Sequence, residues 1–386
     1  MVLHFVIDGK LTDQIIENYL EVSDKNFFLV FGMTGDRAFQ RISKIGDFLG
    51  RYSEADDINS IIEQLNVKAI ILHSLSYDFA KVVLEIKKEI TICWVVWGYD
   101  LYFLPKVEPY IYAKKTNEFL KWTNPLMVLK RKIIRSDKLR GYFYRIFYWK
   151  QDKIKTILLA HHKIRYFLTY IKEDFDIYSY YYPNRLKYLY GTFSSIDQYL
   201  AGNNNLSILS DANNILIGNS YSPSSNYLDV LPVLSKNLHN LNKVYIVLSY
   251  GINETHKKFV HKKASKLLED HFYPLLEFVN RKDYIRILQT CSTGIFFQYR
   301  QQAMGNIIAM LYMGSRIYLS SKNPAYKFFI RNNIVVNCFE DEFEQYGSSR
   351  LNKDIVKHNQ KHLDKLFSRE KVLNDLRYVT ETLVNT

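Results

Sequence analysis

The amino-acid sequence predicts an α/β protein built from two units of parallel β-sheet. Short apolar runs rich in β-branched and aromatic residues alternate with longer amphipathic runs along most of the chain, a pattern typical of strands connected by helices. A chain of 386 residues is too long for one average domain and suits two. A stretch rich in Gly, Ser and Asn, residues 191–212, separates two such alternating series and is the best candidate for a domain boundary.

The first half of the chain supplies the elements of an N-terminal sheet. Short apolar runs predict strands at residues 3–7, 27–31, 69–73, 91–97 and 166–169, and helical periodicity predicts helices near residues 12–22, 59–65 and 79–88. We therefore predict a first domain over residues 1–195, in which helices cover a parallel sheet.

The alternation restarts in the second half. We predict strands at residues 214–218, 243–248, 294–298 and 316–320, helices at 225–235, 254–268 and 284–291, and a helix that contains residues 307–312 and ends at Gly314. These elements predict a second domain over residues 210–350. Residues 351–386 form one or two further amphipathic helices, which we expect to pack back on the first domain.

Composition excludes several classes of protein and leaves others open. A hydrophobic fraction of 47% with 24% charged residues excludes a disordered chain. The formal charge of +13 and the 31 tyrosines are compatible with nucleic acid, an anionic membrane or a polyphosphate ligand as partner. Three widely separated cysteines predict neither a disulfide framework nor a zinc site, and they fit a reducing compartment. Neither a signal peptide nor a membrane-spanning run is visible, so we expect a cytoplasmic location.

Motifs exclude further chemistries. The sequence contains no His-Glu-x-x-His, paired Cys-x-x-Cys, Gly-x-Ser-x-Gly or Gly-x-Gly-x-x-Gly motif, which argues against zinc hydrolases, serine hydrolases and dinucleotide-dependent dehydrogenases. The loop after Gly218 is not a P-loop, because no Gly-Lys-Ser/Thr follows it.

Residues 130–155 differ from the rest of the chain. Ten Lys or Arg residues in this segment alternate with aromatic residues, and Tyr142, Ile146 and Trp149 fall on one helical face. An apolar aromatic face bordered by cations is typical of a helix that lies on an anionic membrane. The alternative is a solvated charged helix whose aromatic residues belong to the core. For membrane contact we single out a group of cations together with one aromatic residue: Arg131, Lys132, Arg135, Lys138, Arg140 and Trp149.

Three polar loops follow predicted strands of the second half. The first begins at Gly218 and runs through Ser225, the second contains Gly251, and the third begins at Arg300 and reaches Asn306. In open parallel sheets, ligands bind where strand carboxyl ends meet helix amino ends, because unpaired N–H groups there favour anions. The Gly218 loop alone is equally well explained as an ordinary connection, and Arg300 alone is better explained as a surface arginine. Their convergence would favour a nucleotide-like ligand.

Asp100 and His73 are candidate proton acceptors in the first half. Asp100 follows an apolar strand and a glycine among aromatic residues, where partial desolvation raises a carboxyl pKa into the range of a general base. The alternative is an Asp that caps a turn. His73 ends the neighbouring predicted strand, and a lone His is more often structural than catalytic.

Several of these segments together resemble a known family. The strand and loop ILIGNS with SSN beyond it, the Gly251 loop, YRQQAMGN, the KNP at residues 322–324 and WGYDLY at residues 97–102 resemble the TDP-N-acetylfucosamine:lipid II N-acetylfucosaminyltransferases. The resemblance extends from about residue 73 to residue 324. It implies a GT-B fold, with two Rossmann-like domains facing a cleft, the acceptor on the first domain and the sugar nucleotide on the second. It also implies an inverting reaction with neither a metal nor another cofactor.

The resemblance and the loops together lead to an assignment of site residues. Asp100 is predicted as the base, with His73 as the second candidate. The predicted diphosphate ligands are Gly218, Asn219, Ser220, Ser225, Asn226 and Arg300, and the predicted nucleotide and sugar pocket contains Gly251, Gln301, Gln302 and Asn323.

The function that follows is transfer of a 4-acetamido-4,6-dideoxygalactose-like sugar from a dTDP or UDP donor to an undecaprenyl-diphosphate-linked saccharide. Such a step belongs to synthesis of a surface polysaccharide like enterobacterial common antigen, on the cytoplasmic face of the bacterial inner membrane. Two alternatives remain at this stage. One is a GT-B glycosyltransferase with a soluble acceptor, and the other, ranked last, is a basic nucleic-acid-binding protein.

Overall fold

The computed structural model describes residues 1–32, 38–53, 55–148, 152–183, 186–203, 205–240 and 242–386. Residue contacts divide the chain into two compact units. Unit 1 comprises Met1–Val107, Ile133–Ser194 and Arg369–Thr386, and unit 2 comprises Glu108–Lys132 and Ser195–Ser368. The predicted first domain differs from unit 1 because residues 108–132 pack within unit 2.

The strands, in chain order, are β1 (Val2–Ile7), β2 (Asn26–Phe31), β3 (Leu49–Arg51), β4 (Ala69–Leu72), β5 (Thr91–Val95), β6 (Tyr166–Leu168), β7 (Lys187–Leu189), β8 (Asn214–Ile217), β9 (Val244–Val247), β10 (Phe272–Leu275), β11 (Cys291–Phe296), β12 (Arg316–Leu319) and β13 (Asn337–Cys338).

The helices are α1 (Thr12–Val22), α2 (Ile58–Gln64), α3 (Tyr77–Glu85), α4 (Tyr99–Tyr102), α5 (Lys114–Thr123), α6 (Pro125–Arg135), α7 (Asp137–Phe143), α8 (Lys153–Ala160), α9 (Lys172–Tyr181), α10 (Ile196–Tyr199), α11 (Tyr227–Leu234), α12 (Glu254–Leu268), α13 (Arg281–Gln289), α14 (Met304–Met313), α15 (Pro324–Arg331), α16 (Phe339–Tyr346), α17 (Lys353–Phe367) and α18 (Arg369–Val384). A π-helical turn, Tyr144–Tyr148, continues α7, and a 3₁₀ turn, Pro223–Ser225, precedes α11.

Each unit is organised around a parallel sheet. Within the described residues, the sheet of unit 1 has the order β3-β2-β1-β4-β5-β6-β7 and that of unit 2 the order β10-β9-β8-β11-β12-β13. In each sheet the chain starts at a central strand and adds further strands towards one edge. It then returns to the other side of the central strand and adds strands towards the opposite edge, as in Rossmann folds. The order therefore reverses between β1 and β4 in unit 1 and between β8 and β11 in unit 2. The α/β prediction is confirmed.

The sequence pattern located long elements better than short ones. Helices α1 and α12 have the predicted boundaries, and α14 ends before Gly314, whose φ of +101° stops the helix in the left-handed region. The prediction missed the short strands β3, β7, β10 and β13. It also placed Cys291 in a helix, whereas this residue begins the buried strand β11.

Residues 108–132 are held in unit 2 by two polar side chains of α11 and its N-terminus. The Asn226 Oδ1 accepts a hydrogen bond from the Ala113 amide at 2.9 Å, and Asp229 accepts from the amides of Lys115 and Thr116 at 2.8 and 3.0 Å. Phe119 of α5 is buried in the apolar core of this unit. The carboxylate of Asp229 therefore caps α5 at its N-terminus and joins it to α11.

The C-terminal helix α18 belongs to unit 1, whereas α17 belongs to unit 2. Helix α18 packs on α1, where Arg369 donates to Asn18. Asp375 accepts from the Thr192 hydroxyl at 2.7 Å. The predicted C-terminal segment, residues 351–386, is thus divided between the two units.

Other features bear on the sequence interpretation. All three cysteines, Cys93, Cys291 and Cys338, are buried and unbridged. Among the described residues, no helix combines the length and the apolar composition needed to cross a bilayer.

Buried neutral histidines predict a fold that loses stability in acid. Burial lowers the pKa of His4 to about 4, of His161 to about 3 and of His256 to about 4. Below the ordinary value of 6.5 the unfolded chain binds more protons than the folded chain, so this stability is complete above 6.5 and is lost as the pH falls towards 4. Asp100, whose pKa burial raises to about 6, acts in the opposite direction but is a single group.

We expect the melting temperature in scanning calorimetry to fall steeply between about pH 7 and about pH 4.5, where protonation of His4 in the unfolded chain alone removes roughly 2–3 kcal/mol of stability. The variant His358→Gln, at an exposed position, serves as control and should keep the same pH dependence. A melting temperature that stays constant over this interval would contradict the burial of these rings in neutral form.

Candidate active site

Three loops of unit 2 leave the carboxyl ends of β8, β9 and β11, around the position where the strand order reverses. The first begins at Gly218, which has a φ of +61°. A Cβ atom at this position would lie 2.5 Å from the ring of Tyr227, whose hydroxyl donates to the Val247 carbonyl at 2.9 Å. Only glycine fits this turn, because both its conformation and its space exclude a side chain.

A glutamine from the β11 loop contacts the β8 loop directly. The Gln302 Nε2 donates to Asn219 Oδ1 at 2.5 Å and lies 3.3 Å from Ser220 Oγ. Asn219 in turn donates through Nδ2 to the Tyr250 hydroxyl in the β9 loop, at 2.9 Å. Hydrogen bonds therefore connect all three predicted loops at one point of unit 2.

The β9 loop also contacts the β8 loop through its backbone. The Tyr221 amide donates to the Tyr250 carbonyl at 2.9 Å, and the Ile252 amide donates to Ser222 Oγ at 3.3 Å. Gly251 has a φ of +147°, and a Cβ there would lie 2.7 Å from the Ser222 nitrogen. Gly251 is therefore needed for the close approach of two backbones, which is a role in shaping the site.

Arg300 is positioned by the same network. Its side chain is buried, and its Nε donates to Ser224 Oγ at 3.2 Å, while that hydroxyl donates to Gln302 Oε1 at 3.3 Å. A guanidinium positioned by a hydroxyl group of the loop that begins at a glycine turn is suited to bind a phosphate group. The neighbouring Gln301 is also buried, and its Oε1 has no hydrogen-bond partner among the described residues.

A cavity of about 100 Å³ adjoins this network. Asn219 and Tyr250 line it from the β8 and β9 loops, Glu277 and Phe278 from the segment after β10, and Tyr284 from α13. Asn306 fixes the Tyr284 ring by donating to its hydroxyl at 2.9 Å. Burial raises the pKa of Tyr284, so its hydroxyl stays protonated. Aromatic walls with one carboxylate suit a planar ring attached to a polar group.

Two residues predicted to bind diphosphate have other roles. Ser225 is buried and its hydroxyl donates to the Ser220 carbonyl at 2.8 Å. Asn226 has a left-handed conformation with a φ of 53°. Its Oδ1 accepts from the Ala113 amide, and its Nδ2 donates to the carbonyls of Ile111 and Phe297. We correct the prediction for both residues, because the hydrogen-bond donors of their side chains are already used by carbonyl groups of the protein.

Buried amides lie at the ends of β11 and β12. Gln298 follows β11 and is fully buried, and neither of its amide atoms has a partner among the described residues. Asn323 follows β12, caps α15 through an Oδ1 that accepts from the Ala325 amide at 2.9 Å, and has an unpartnered Nδ2 within the same described part of the chain. The predicted contribution of Asn323 to a sugar pocket stays a prediction. The orphaned amide atoms mark places where a polar ligand group or water is required.

In unit 1, Asp100 connects two loops at the ends of β4 and β5. Its Oδ2 accepts from the Leu75 amide at 3.1 Å and from Trp94 Nε1 at 2.6 Å, and its Oδ1 accepts from the Trp97 amide at 3.1 Å. Burial raises the pKa of this carboxyl to about 6, although the three donors favour its charged form. The environment predicted from the sequence is present, but the hydrogen bonds also give Asp100 the role of a loop anchor. Its role as base stays a prediction.

His73 directly follows β4 and is buried. Its Nε2 lies 3.0 Å from Nδ1 of His4 on β1, and its own Nδ1 has no partner among the described residues. Burial and the nearby His4 ring lower the pKa of His73 well below the ordinary value. The next residue, Ser74, has a φ of 115°, which is strained for a residue with a side chain.

The predicted membrane segment is partly structural. Arg140 is buried and forms ion pairs with Asp137 and Asp152, both at 2.8 Å, so we correct its assignment to the surface. Arg131 forms an ion pair with Glu108 at 3.1 Å, within unit 2.

The other three cations predicted to contact the membrane lie on the surface. Lys132, Arg135 and Lys138 are exposed, and Trp149 lies outside the described residues. Tyr142 and Ile146 are exposed by 66% and 61%, together with Leu139 at 55% on the same face of α7 and its π-helical continuation. These apolar residues therefore do not belong to the core.

The sequence interpretation missed several residues around the cavity. Glu277 and Phe278 follow β10, which was not predicted because its Pro274 is atypical of a strand interior. Tyr284 was seen only as a helix residue. The one available signal was its position at the start of an apolar helical run, and that signal cannot distinguish a cavity wall from a core residue.

Solved structures align with the chain over its whole length. A sucrose-phosphate synthase from Thermosynechococcus elongatus aligns with a TM-score of 0.67 at 6% identity, covering 100% of this chain and 99% of the other. Alr3699/HepE of Anabaena, in complex with UDP and glucose, aligns at 0.58 with 11% identity and 100% coverage of both chains. A UDP-forming α,α-trehalose-phosphate synthase from Burkholderia xenovorans aligns at 0.57 with 10% identity, covering 100% and 98%.

The fold is that of the GT-B glycosyltransferases, with two Rossmann-like units. A sequence profile described as 4-alpha-L-fucosyltransferase, glycosyl transferase group 56, matches residues 135–381, which is more than half of the chain. The protein therefore belongs to this glycosyltransferase family. The predicted resemblance to the N-acetylfucosaminyltransferases is confirmed at the level of a fucosyltransferase family, and the predicted GT-B fold and glycosyltransferase class are confirmed.

The turn at Gly218 provides a test of the loop geometry. We expect Gly218→Ala to lower the stability of unit 2 by about 2 kcal/mol or more, because the methyl group meets Tyr227 and the backbone is forced into an unfavourable region. Gly305→Ala is the matched control, since a Cβ there makes only ordinary contacts with Tyr199 at 3.4 Å and the residue lies in α14. The control should be neutral or slightly stabilising in chemical denaturation. Equal stabilities of the two variants would contradict the described turn.

Proposed function

We propose that this glycosyltransferase transfers a 4-acetamido-4,6-dideoxygalactose-like sugar, with inversion, from a dTDP or UDP donor to an undecaprenyl-diphosphate-linked saccharide. The reaction would serve the synthesis of a bacterial surface polysaccharide of the enterobacterial common antigen type. The observation that carries the proposal is the network of Asn219, Tyr250 and Gln302, which joins three strand-end loops beside a cavity in unit 2.

The chemistry of unit 2 supports a nucleoside diphosphate donor. Tyr250, Phe278 and Tyr284 offer aromatic surface for a pyrimidine ring, and the Glu277 carboxylate offers an acceptor for ribose hydroxyls. The glycine turn at Gly218 and the Arg300 guanidinium suit the diphosphate, whose charge increases as it leaves. UDP is bound by the structurally similar Anabaena protein.

Two observations support the type of sugar. The family description names a fucosyltransferase, and fucose is a 6-deoxyhexose. Amide atoms of Gln298, Gln301 and Asn323 that lack a hydrogen-bond partner in the described part of the chain supply donors and acceptors that match hydroxyl or acetamido groups. An amide-rich site discriminates strongly against a sugar that leaves those groups unpaired.

The proposed acceptor implies an anionic membrane surface, with the enzyme peripheral on the cytoplasmic face of the inner membrane. The exposed apolar side chains of Leu139, Tyr142 and Ile146 support this, as do the exposed cations in residues 132–138. Exposed apolar residues bordered by cations lower the free energy of a protein at a bilayer of anionic lipids. In α5 and α6, Trp122 and Leu126 are also exposed, each by 77%.

A nucleotide screen tests the donor. We expect dTDP- or UDP-sugars near 100 times their Kd to raise the melting temperature by about 5–10 °C, because a ligand of the folded state stabilises it by mass action, while GDP-sugars have no effect. Arg300→Gln should abolish most of the shift, and Lys327→Gln, an exposed position on α15 with the same loss of charge, should retain it. The absence of a shift with every nucleotide sugar would refute the proposed donor class.

A vesicle experiment tests the membrane surface. Replacing Lys132, Arg135 and Lys138 by Gln should weaken co-sedimentation with phosphatidylglycerol vesicles about 100-fold, since each cation contributes about 1 kcal/mol near such a surface. The matched control replaces three exposed lysines of α12, Lys258, Lys262 and Lys266, by Gln. Equal vesicle binding by the two triple variants would favour the alternative of a soluble acceptor.

A further inference from the structure

We propose that Nδ1 of His73 is the proton acceptor for the attacking hydroxyl, and that His4 and Asn26 are positioning residues that fix the tautomer of His73. This inference rests on the proposed transfer reaction and names the group in unit 1 that supports it. Asp100 then serves as the anchor of the loop that follows His73.

The side-chain amide of Asn26 has one possible orientation. Its Nδ2 donates to the carbonyls of Tyr19 and Ser23, at 2.9 and 2.7 Å. The Oδ1 therefore faces Nε2 of His4, at 2.9 Å. Because Oδ1 can only accept, the Nε2 atom of His4 must carry a proton.

The proton on Nε2 of His4 also determines the protonation state of its second ring nitrogen, Nδ1. The ring is fully buried between Phe28 and Tyr19, and burial lowers its pKa to about 4, so it is neutral at physiological pH. A neutral imidazole with its proton on Nε2 has only a lone pair on Nδ1. That lone pair lies 3.0 Å from Nε2 of His73, which must donate to it.

The tautomer of His73 is fixed in turn by His4. Its Nε2 carries a proton, and the ring is neutral because burial and His4 lower its pKa. Its Nδ1 is therefore an unprotonated acceptor, and this atom has no partner among the described residues. Leaving a buried acceptor unpaired lowers stability, and a hydroxyl group that donates to it removes this cost.

The position of His73 fits this role. It follows β4, next to β1, where the strand order of unit 1 reverses and where ligands of parallel sheets bind. The strained backbone of Ser74 follows, and Asp100 holds the next amide, that of Leu75. The Nδ1 atom is shielded from solvent, so the proposal requires a local movement of this loop to admit the hydroxyl.

The proposed step balances. The acceptor O–H bond breaks and its proton forms an N–H bond with His73 Nδ1, while the oxygen lone pair forms the new bond to the anomeric carbon. The bond from that carbon to the diphosphate oxygen breaks, and the nucleoside diphosphate leaves with the electron pair. His73 becomes an imidazolium whose Nε2–H donates more strongly to His4, and it returns its proton to solvent after product release.

The tautomer can be measured directly on the full-length protein. Long-range ¹H–¹⁵N spectra of histidine-labelled protein at neutral pH should show His73 with an unprotonated Nδ1 and a protonated Nε2, as should His4. In Asn26→Leu, His4 and His73 should populate both tautomers, and Asn26→Asp, which restores an acceptor for His4, should restore the pattern. A protonated Nδ1 on His73 in the wild type would overturn the inference.

Kinetics test the consequence for transfer to an undecaprenyl-diphosphate-linked saccharide, with the dTDP- or UDP-sugar that gives the largest thermal shift. His73→Gln preserves a donor towards His4 and should lower kcat at least about 100-fold with KM changed less than about threefold. Asn26→Leu should lower kcat about tenfold, and Asn26→Asp should recover most of it. Asp100→Asn, measured below its own melting temperature, should lower kcat less than about tenfold.

The results separate this inference from the proposed function. If the wild type transfers sugar and His73→Gln does so at a similar rate, His73 is not the proton acceptor. Loss of turnover in Asp100→Asn with an intact thermal shift would assign the base to Asp100 and overturn the inference. If the wild type turns over none of the donors, the proposed reaction fails, whereas the tautomer spectra still decide whether Asn26 and His4 orient His73.

Discussion

One buried amide, that of Asn226, holds three backbone segments of unit 2 together. Its oxygen accepts from Ala113, and its nitrogen donates to the carbonyls of Ile111 and Phe297. The residue can do so because its left-handed backbone turns the side chain into the core at the start of α11. Such a fully satisfied buried amide is costly to disturb. The position of residues 108–132 and that of the β11 loop, which carries Arg300, both depend on it.

The sequence was sufficient for the architecture. The alternation of strands and helices follows from local periodicity, and parallel pairing follows from the helical crossovers, so the two sheets could be predicted. Short edge elements could not be, since β13 has two residues and β10 contains Pro274. The transfer of residues 108–132 into unit 2 was also invisible. It depends on hydrogen bonds between residues more than a hundred positions apart, such as that from Ala113 to Asn226.

The candidate site shows the same division. Convergence of the loops was predictable, because the carboxyl ends of parallel strands lie at one edge of a sheet. The role of each polar residue was not, because a serine or asparagine after a strand serves a ligand and a neighbouring backbone equally well. Gln302 connects loops and Asn226 connects backbones, although both were predicted as ligands of the donor. Arg140 was assigned to the surface because sequence alone gave no sign of its ion pairs with Asp137 and Asp152.

The placement of α18 has a consequence for synthesis of the protein. Unit 1 contains the first residues of the chain and also α18, whose Arg369 and Asp375 bond with Asn18 and Thr192. Unit 2 ends at Ser368, before that helix begins. On a ribosome, where most domains fold in the order of their synthesis, the unit that starts first is therefore completed last. Until α18 emerges, the surface of α1 that it covers remains exposed. Unit 1 therefore cannot complete its fold before unit 2, whose synthesis begins later, has been synthesised.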